Sequence, residues 1–191
     1  MIIESKVQLK QCLDYEKKIY FKDYKEYIEY ASAKEPIYYI WRYIYCLRYT
    51  EYYHHKYNIL RGPYKYTCML LWMYFRRKKN RLGLKLGIEI GDFSCDKGLH
   101  IWHAGAIVIN GNAKIGSDCS IHGAVCIGNN GKTEEYPIIG DEVDIGVGAY
   151  IIGPVKISSK TKIGAGAVVV HTAEKEGSVI IGPSAHVKEE N

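Results

Sequence analysis

A histidine interrupts a column of aliphatic residues. Every sixth position is aliphatic at Ile109, Ile115, Ile121 and Ile127, and again at Ile139, Ile145, Ile151, Ile157, Ile163 and Val169. One step upstream the column reads His103, with Ile101 and Ile107 close by. A titratable ring among aliphatic side chains costs stability unless it is paired or the backbone turns it outward. His103 therefore reads as a functional residue. An imidazole ionises near neutrality and can take the proton of a hydroxyl. His100, three residues earlier, is a second candidate base or a polar rim residue of the same pocket. The other interruption, Gly128-Asn-Asn-Gly-Lys-Thr-Glu-Glu-Tyr136, has no aliphatic residue and is rich in turn formers. It predicts a loop projecting from a corner of the fold.

These residues need a scaffold with a period of six, which neither a helix nor a continuous strand supplies over this length. A second column lies two residues before the first: Ile107, Ala113, Cys119, Val125, Pro137, Val143, Ala149, Val155, Thr161 and Ala167. It is small or apolar throughout. Two such columns fit a chain winding in short strands and tight turns about a common axis, a parallel β-helix of hexapeptide repeats. At about 18 residues a coil, the stretch from Leu82 to Val187 supplies roughly five coils. The open ends of such a prism need caps. Residues 1–80 can supply one. They are almost free of glycine, with apolar residues at helical spacing, Pro36 placed to start a helix and Gly62-Pro63 to turn before another over about 64–79. Three or four helices are expected, packed by a stripe of tyrosines at 38, 39, 43, 45, 49, 52 and 53. The expected organisation is a helical region over 1–80 and a β-helix over 81–191, with a tail after Val170 that leaves the repeat phase.

The chain has 191 residues, 47% hydrophobic and 25% charged, enough apolar material for a core and too much for disorder. Residues 1–80 carry 16 Lys and Arg against 8 Asp and Glu, and residues 81–191 the remaining 10 against 13. The positive half reads as a solvated basic face, since no nucleic-acid motif accompanies it. Arg76-Arg-Lys-Lys79 beside Leu70-Leu-Trp72 would also permit peripheral membrane contact. The six cysteines form no Cys-x-x-Cys pair and read as buried thiols of a reducing compartment. The start of the chain lacks the apolar stretch of a signal peptide, and a cytoplasmic protein is expected.

The stretch Gly98-Leu-His-Ile-Trp-His103-Ala-Gly-Ala-Ile-Val-Ile-Asn-Gly111 resembles the catalytic coil of the serine acetyltransferase family of hexapeptide acyltransferases. The likeness continues through Ser120-Ile-His-Gly-Ala-Val-Cys-Ile-Gly128 and from Pro137 to Val169, roughly 100 residues in all. The resemblance implies a β fold with an α-helical N-terminal region, the β part a left-handed parallel β-helix of hexapeptide repeats, an exception to the right-handed crossover rule. It also implies a homotrimer or a dimer of trimers, with acetyl-CoA as co-substrate in the groove between prisms and no metal. His103 inherits the general-base role, with direct transfer from thioester to hydroxyl. The orienting carboxylate falls on Glu89, in Glu89-Ile-Gly91 where the family has Asp-Ile-His, or on Asp92. Backbone N–H groups near Gly123 would stabilise the oxyanion. The coenzyme positions are Gly128, Asn130, Gly146, Gly148, Ala149, Lys162, Gly164, Gly166, Ala167, His186 and Lys188.

The chain departs from the family where serine is held. The residue before the base is Trp102 rather than Asp, and the loop reads Glu134-Glu135-Tyr136-Pro137 rather than Asp-Arg-His-Pro. An aromatic platform beside carboxylates suits a sugar ring, with His100, Trp102, Glu135 and Tyr136 as acceptor contacts. The leading expectation is an O-acetyltransferase acting on a sugar hydroxyl in bacterial capsular or surface polysaccharide synthesis. The alternatives are an L-serine O-acetyltransferase of cysteine biosynthesis, and a non-catalytic β-helix scaffold that could bind zinc through His100, His103 and His122.

Overall fold

The computed structural model describes residues 2–182. Four helices come first: α1 Lys6–Tyr20, α2 Tyr24–Ala33, α3 Pro36–Ile59 and α4 Pro63–Leu86. Ser5 opens α1 with a capping box shared with Gln8, Asp23 caps α2, and Pro36 and Pro63 stand in the first turns of α3 and α4. Helix α4 runs seven residues beyond the expected stop at Lys79, so the helical region extends to Leu86. Gly87 then ends it in the left-handed conformation at φ +67°. Among the described residues no helix is long and apolar enough to cross a membrane.

Among the described residues thirteen short strands follow, all paired in parallel, in a left-handed β-helix with three faces. Face A carries β1 (Ile88–Ile90), β3 (Ile107–Ile109), β6 (Cys126–Gly128), β9 (Tyr150–Ile152) and β12 (Val168–Val169). Face B carries β4 (Lys114–Ile115), β7 (Ile138–Ile139) and β10 (Lys156–Ile157). Face C carries β2 (His100–Ile101), β5 (Ser120–Ile121), β8 (Asp144–Ile145), β11 (Lys162–Ile163) and β13 (Val179–Ile180). Both sequence columns point inward, and the prism core is a stack of buried Ile, Val, Ala and Cys. The tail leaves the repeat phase, its pairings lying 16 and 17 residues apart rather than 18, and lies back along the prism. Ala173 bridges to Ile157 and β13 pairs with β11, completing a fifth coil.

The helical cap is fixed to the first coil by buried charge. Arg48, fully buried, meets Glu16 at 2.7 Å and Glu51 at 2.9 Å. It also donates to the carbonyls of Cys95 and Asp96. In turn Glu16 accepts from Gly98 N–H and Glu51 from Phe93 N–H. Burial alone would depress the guanidinium pKa, but the two carboxylates override it and hold Arg48 well above its ordinary value.

Candidate active site

His103 does not face the core. Ile101 pairs with Ile121, 20 positions on, whereas Val108 pairs with Cys126, 18 positions on. The corner between β2 and β3 therefore holds two extra residues, and Ile101 takes the inward slot while His103 lands on the corner. The ring is exposed and has no hydrogen-bond, ion-pair or ring partner among the described residues. Its Cβ and carbonyl lie over Gly123, on the next coil's corner. Gly105, at φ +123°, shapes the turn, and its N–H donates to Leu86 O at 2.8 Å. Gly87 packs against Gly105 and Ala106 so closely that a Cβ there would sit 3.0 Å from Ala106 N. The end of α4 thus holds the corner that carries His103.

The two candidate carboxylates are not equivalent. Asp92 accepts from the buried Lys79 ammonium of α4 and lies 3.5 Å from His54 of α3. It ties the helices to the first coil, and its carboxylate is engaged by these contacts rather than by His103. Glu89 is exposed on β1, free of any ion pair among the described residues. It lines a groove that ends at Ala106, but no hydrogen bond joins it to His103.

The coenzyme positions divide. Ala149 and Ala167 belong to the inward column, 0% and 1% exposed. Their methyls are core, which removes them as cofactor contacts. Gly146 is dictated by coil packing, since a Cβ there would come within 2.6 Å of Ala165 N. Gly164 is likewise packed against the last coil, 3.3 Å from Ile180 O. Gly148 and Gly166, with positive φ, lie on the same corner column as His103, and a Cβ at Gly166 would meet open space. Lys162 is exposed on β11. Gly128 lies instead with Glu89 and Arg76 in a cleft of about 540 Å³ between α4 and face A. Asn130 accepts from Lys132 and Thr133 N–H and shapes its own loop. His186 and Lys188 lie outside the described residues.

The loop expected at 128–136 is present, between β6 and β7. It sits on the A–B corner, whereas His103 and Trp102 sit on the C–A corner. Exposed Glu135 and half-buried Tyr136 therefore do not meet Trp102 within one chain.

Face C holds a ring cluster that was only partly foreseen. His100 stands edge-on to Tyr20 at 5.4 Å and lies 4.4 Å from Trp102. Trp102, 48% exposed, stacks on His122 at 5.6 Å with an 11° interplanar angle. Burial first, and the neighbouring His122 second, lower the His100 pKa. His122 Nε2 lies 2.8 Å from Asp144 Oδ1. Sequence reading noted His122 only as a zinc candidate and missed Asp144. The inward Ile121 and Ile145 fix their register, and a six-residue period locates such a pair only once the loop length is known. Among the described residues no three His, Cys, Asp or Glu side chains converge as a metal site.

The chain is a hexapeptide-repeat β-helix with a helical cap and an exposed corner histidine. No family model matches the chain. It is 38% identical over 87 residues to the serine acetyltransferase of Mycobacterium tuberculosis, covering 44% of this chain and 38% of that protein. It is 35% identical over 106 residues to that of Staphylococcus aureus strain Mu50, covering 54% and 47%. The crystal structure of Neisseria gonorrhoeae serine acetyltransferase in complex with serine matches with a TM-score of 0.58 at 27% identity, covering 92% of this chain and 65% of that one. The chain thus spans about half the length, or less, of these curated relatives. These comparisons support a hexapeptide-repeat protein similar to the serine acetyltransferases.

Proposed function

We propose that this chain is an acetyl-CoA-dependent O-acetyltransferase in which His103 takes the proton of an acceptor hydroxyl as that oxygen attacks the thioester carbonyl. The carrying observation is the two-residue insertion that sets His103 on an exposed corner with its ring unpartnered. Of the two carboxylates, Glu89 is the one free of an ion pair and is assigned to orient the base. Gly148 and Gly166, on the same corner column, leave backbone open to a pantetheine arm. A cofactor or acceptor site that also uses Gly128, Glu135 and Tyr136 requires two corners of different prisms to face each other. This supports a homotrimer, to be checked by mass measurement in solution.

The acceptor reading favoured by the relatives is L-serine, with a place in cysteine biosynthesis. It replaces the polysaccharide reading as the first choice, because the relatives named above are all serine acetyltransferases. A sugar hydroxyl is kept as the second reading on one observation: Trp102 is an exposed platform beside His103, where the family has Asp. Release of the coenzyme thiol from acetyl-CoA, measured with L-serine and with hexoses, decides. Turnover with serine and none with sugars supports the first reading. The reverse result would replace it with the second.

A further inference from the structure

No carboxylate is bonded to His103 among the described residues, yet a histidine–carboxylate pair spans the next two coils. His122 and Asp144 are joined at 2.8 Å. Their side chains are 39% and 47% exposed, so the pair faces outward from face C. His122 immediately precedes Gly123, the residue over which His103 lies. Trp102, immediately preceding His103, covers the His122 ring. The strand register puts Trp102, His122, Gly146 and Gly164 in one outward row. Beyond His122 that row continues as glycine, so no side chain covers the pair from positions 146 and 164.

Nε2 of His122 faces Asp144 Oδ1, and the second carboxylate oxygen, Oδ2, points away from that contact. Neither Nδ1 nor Asp144 Oδ2 has a partner among the described residues. The free Oδ2 of the carboxylate accepts, so the pair recognises donors through Asp144. The other titratable groups around it are His100, whose pKa is lowered, and Lys162, next to Asp144 on the ladder with no ion pair among the described residues.

We propose that His122 and Asp144 form the acceptor-binding clamp of the transferase, gripping a donor group carried next to the reacting hydroxyl. The shared chemistry is a 1,2-pair of donors: the ammonium and hydroxyl of a 2-amino alcohol, or the vicinal hydroxyls of a sugar. Asp144, two coils on from Trp102, supplies the carboxylate for such a donor. This rests on the transferase reading, and the test separates the two.

Asp144→Asn and His122→Asn are compared with the unaltered protein in two measurements. The first is acetyl transfer to L-serine, to 3-hydroxypropionate (a hydroxyl without an ammonium) and to methyl glucoside. Asp144→Asn is expected to raise the acceptor KM at least tenfold for whichever donor-pair acceptor is used. The kcat should stay within about threefold and the KM for acetyl-CoA should not change. Serine or glucoside preference identifies the source of the donor pair. The second measurement needs no turnover: acceptor titrated into protein with ¹³C-labelled histidine, followed by NMR. His122 ring signals should shift with the acceptor in the unaltered protein and not in Asp144→Asn. Turnover with an unchanged acceptor KM in Asp144→Asn overturns the clamp and leaves the transferase standing. A His122 shift without turnover keeps the clamp and removes the transferase. No His122 shift at saturating acceptor overturns the clamp.

Discussion

Replacing Arg48 by Met should separate the helical cap from the prism. Arg48 is fully buried and is the only cation within bonding distance of Glu16 and Glu51 among the described residues. Removing it leaves two buried carboxylates without a countercharge and orphans the carbonyls of Cys95 and Asp96. Breaking a buried ion pair from one side costs about 3–5 kcal/mol, against a total stability of roughly 5–15 kcal/mol for a domain. For a chain of this size, where 1 kcal/mol is worth about 2–4 °C, the melting temperature should fall by roughly 6–20 °C. Urea unfolding followed by far-ultraviolet circular dichroism reads the loss directly. The cost should shrink as pH falls, because the orphaned carboxylates then take up protons. Arg48→Lys should rescue only part, since an ammonium cannot span both carboxylates and both carbonyls. An Arg48→Met protein within about 1 kcal/mol of the original would refute the reasoning, as would a loss that grows on acidification.

Gly146→Ala should destabilise the β-helix by about 1–3 kcal/mol through overpacking, because its Cβ would meet the backbone of Gly164 and Ala165; the urea midpoint checks this, and an unchanged midpoint counts against it. His100 has a lowered folded pKa, from burial first and the His122 charge second. A neutral buried histidine contributes stability above its unfolded pKa of about 6.5, and that stability is lost as pH falls from there towards the lower folded value. His100→Phe, compared with the original at pH 7.5 and 5.5, should lose less stability on acidification; an equal loss would contradict the assignment.

The core of the prism was legible in the sequence because the two columns repeat without regard to the loop between them. Burial at Ala113, Cys119, Thr161 and Ala167 follows from phase alone. The setting of His103 was not legible. Ile107 lies six residues after Ile101, so the chain looks in phase, yet the two occupy different slots of the repeat. Only strand pairing reveals the extra pair of residues at that corner. Asp144 escaped notice for a related reason: it reaches His122 across a coil lengthened by the 129–136 loop. Arg48, Glu16 and Glu51 were not singled out by the sequence, since hydrophobic periodicity says nothing about which polar groups are paired inside.

The central claim is that the His103 imidazole accepts the hydroxyl proton during acetyl transfer. Steady-state thiol release by His103→Ala, with circular dichroism and solution mass matching the original, tests it most directly. General-base catalysis is worth about 10²–10⁴-fold, so kcat should drop by that factor with the KM for acetyl-CoA little changed. A folded His103→Ala protein that transfers acetyl at the original rate would contradict the claim.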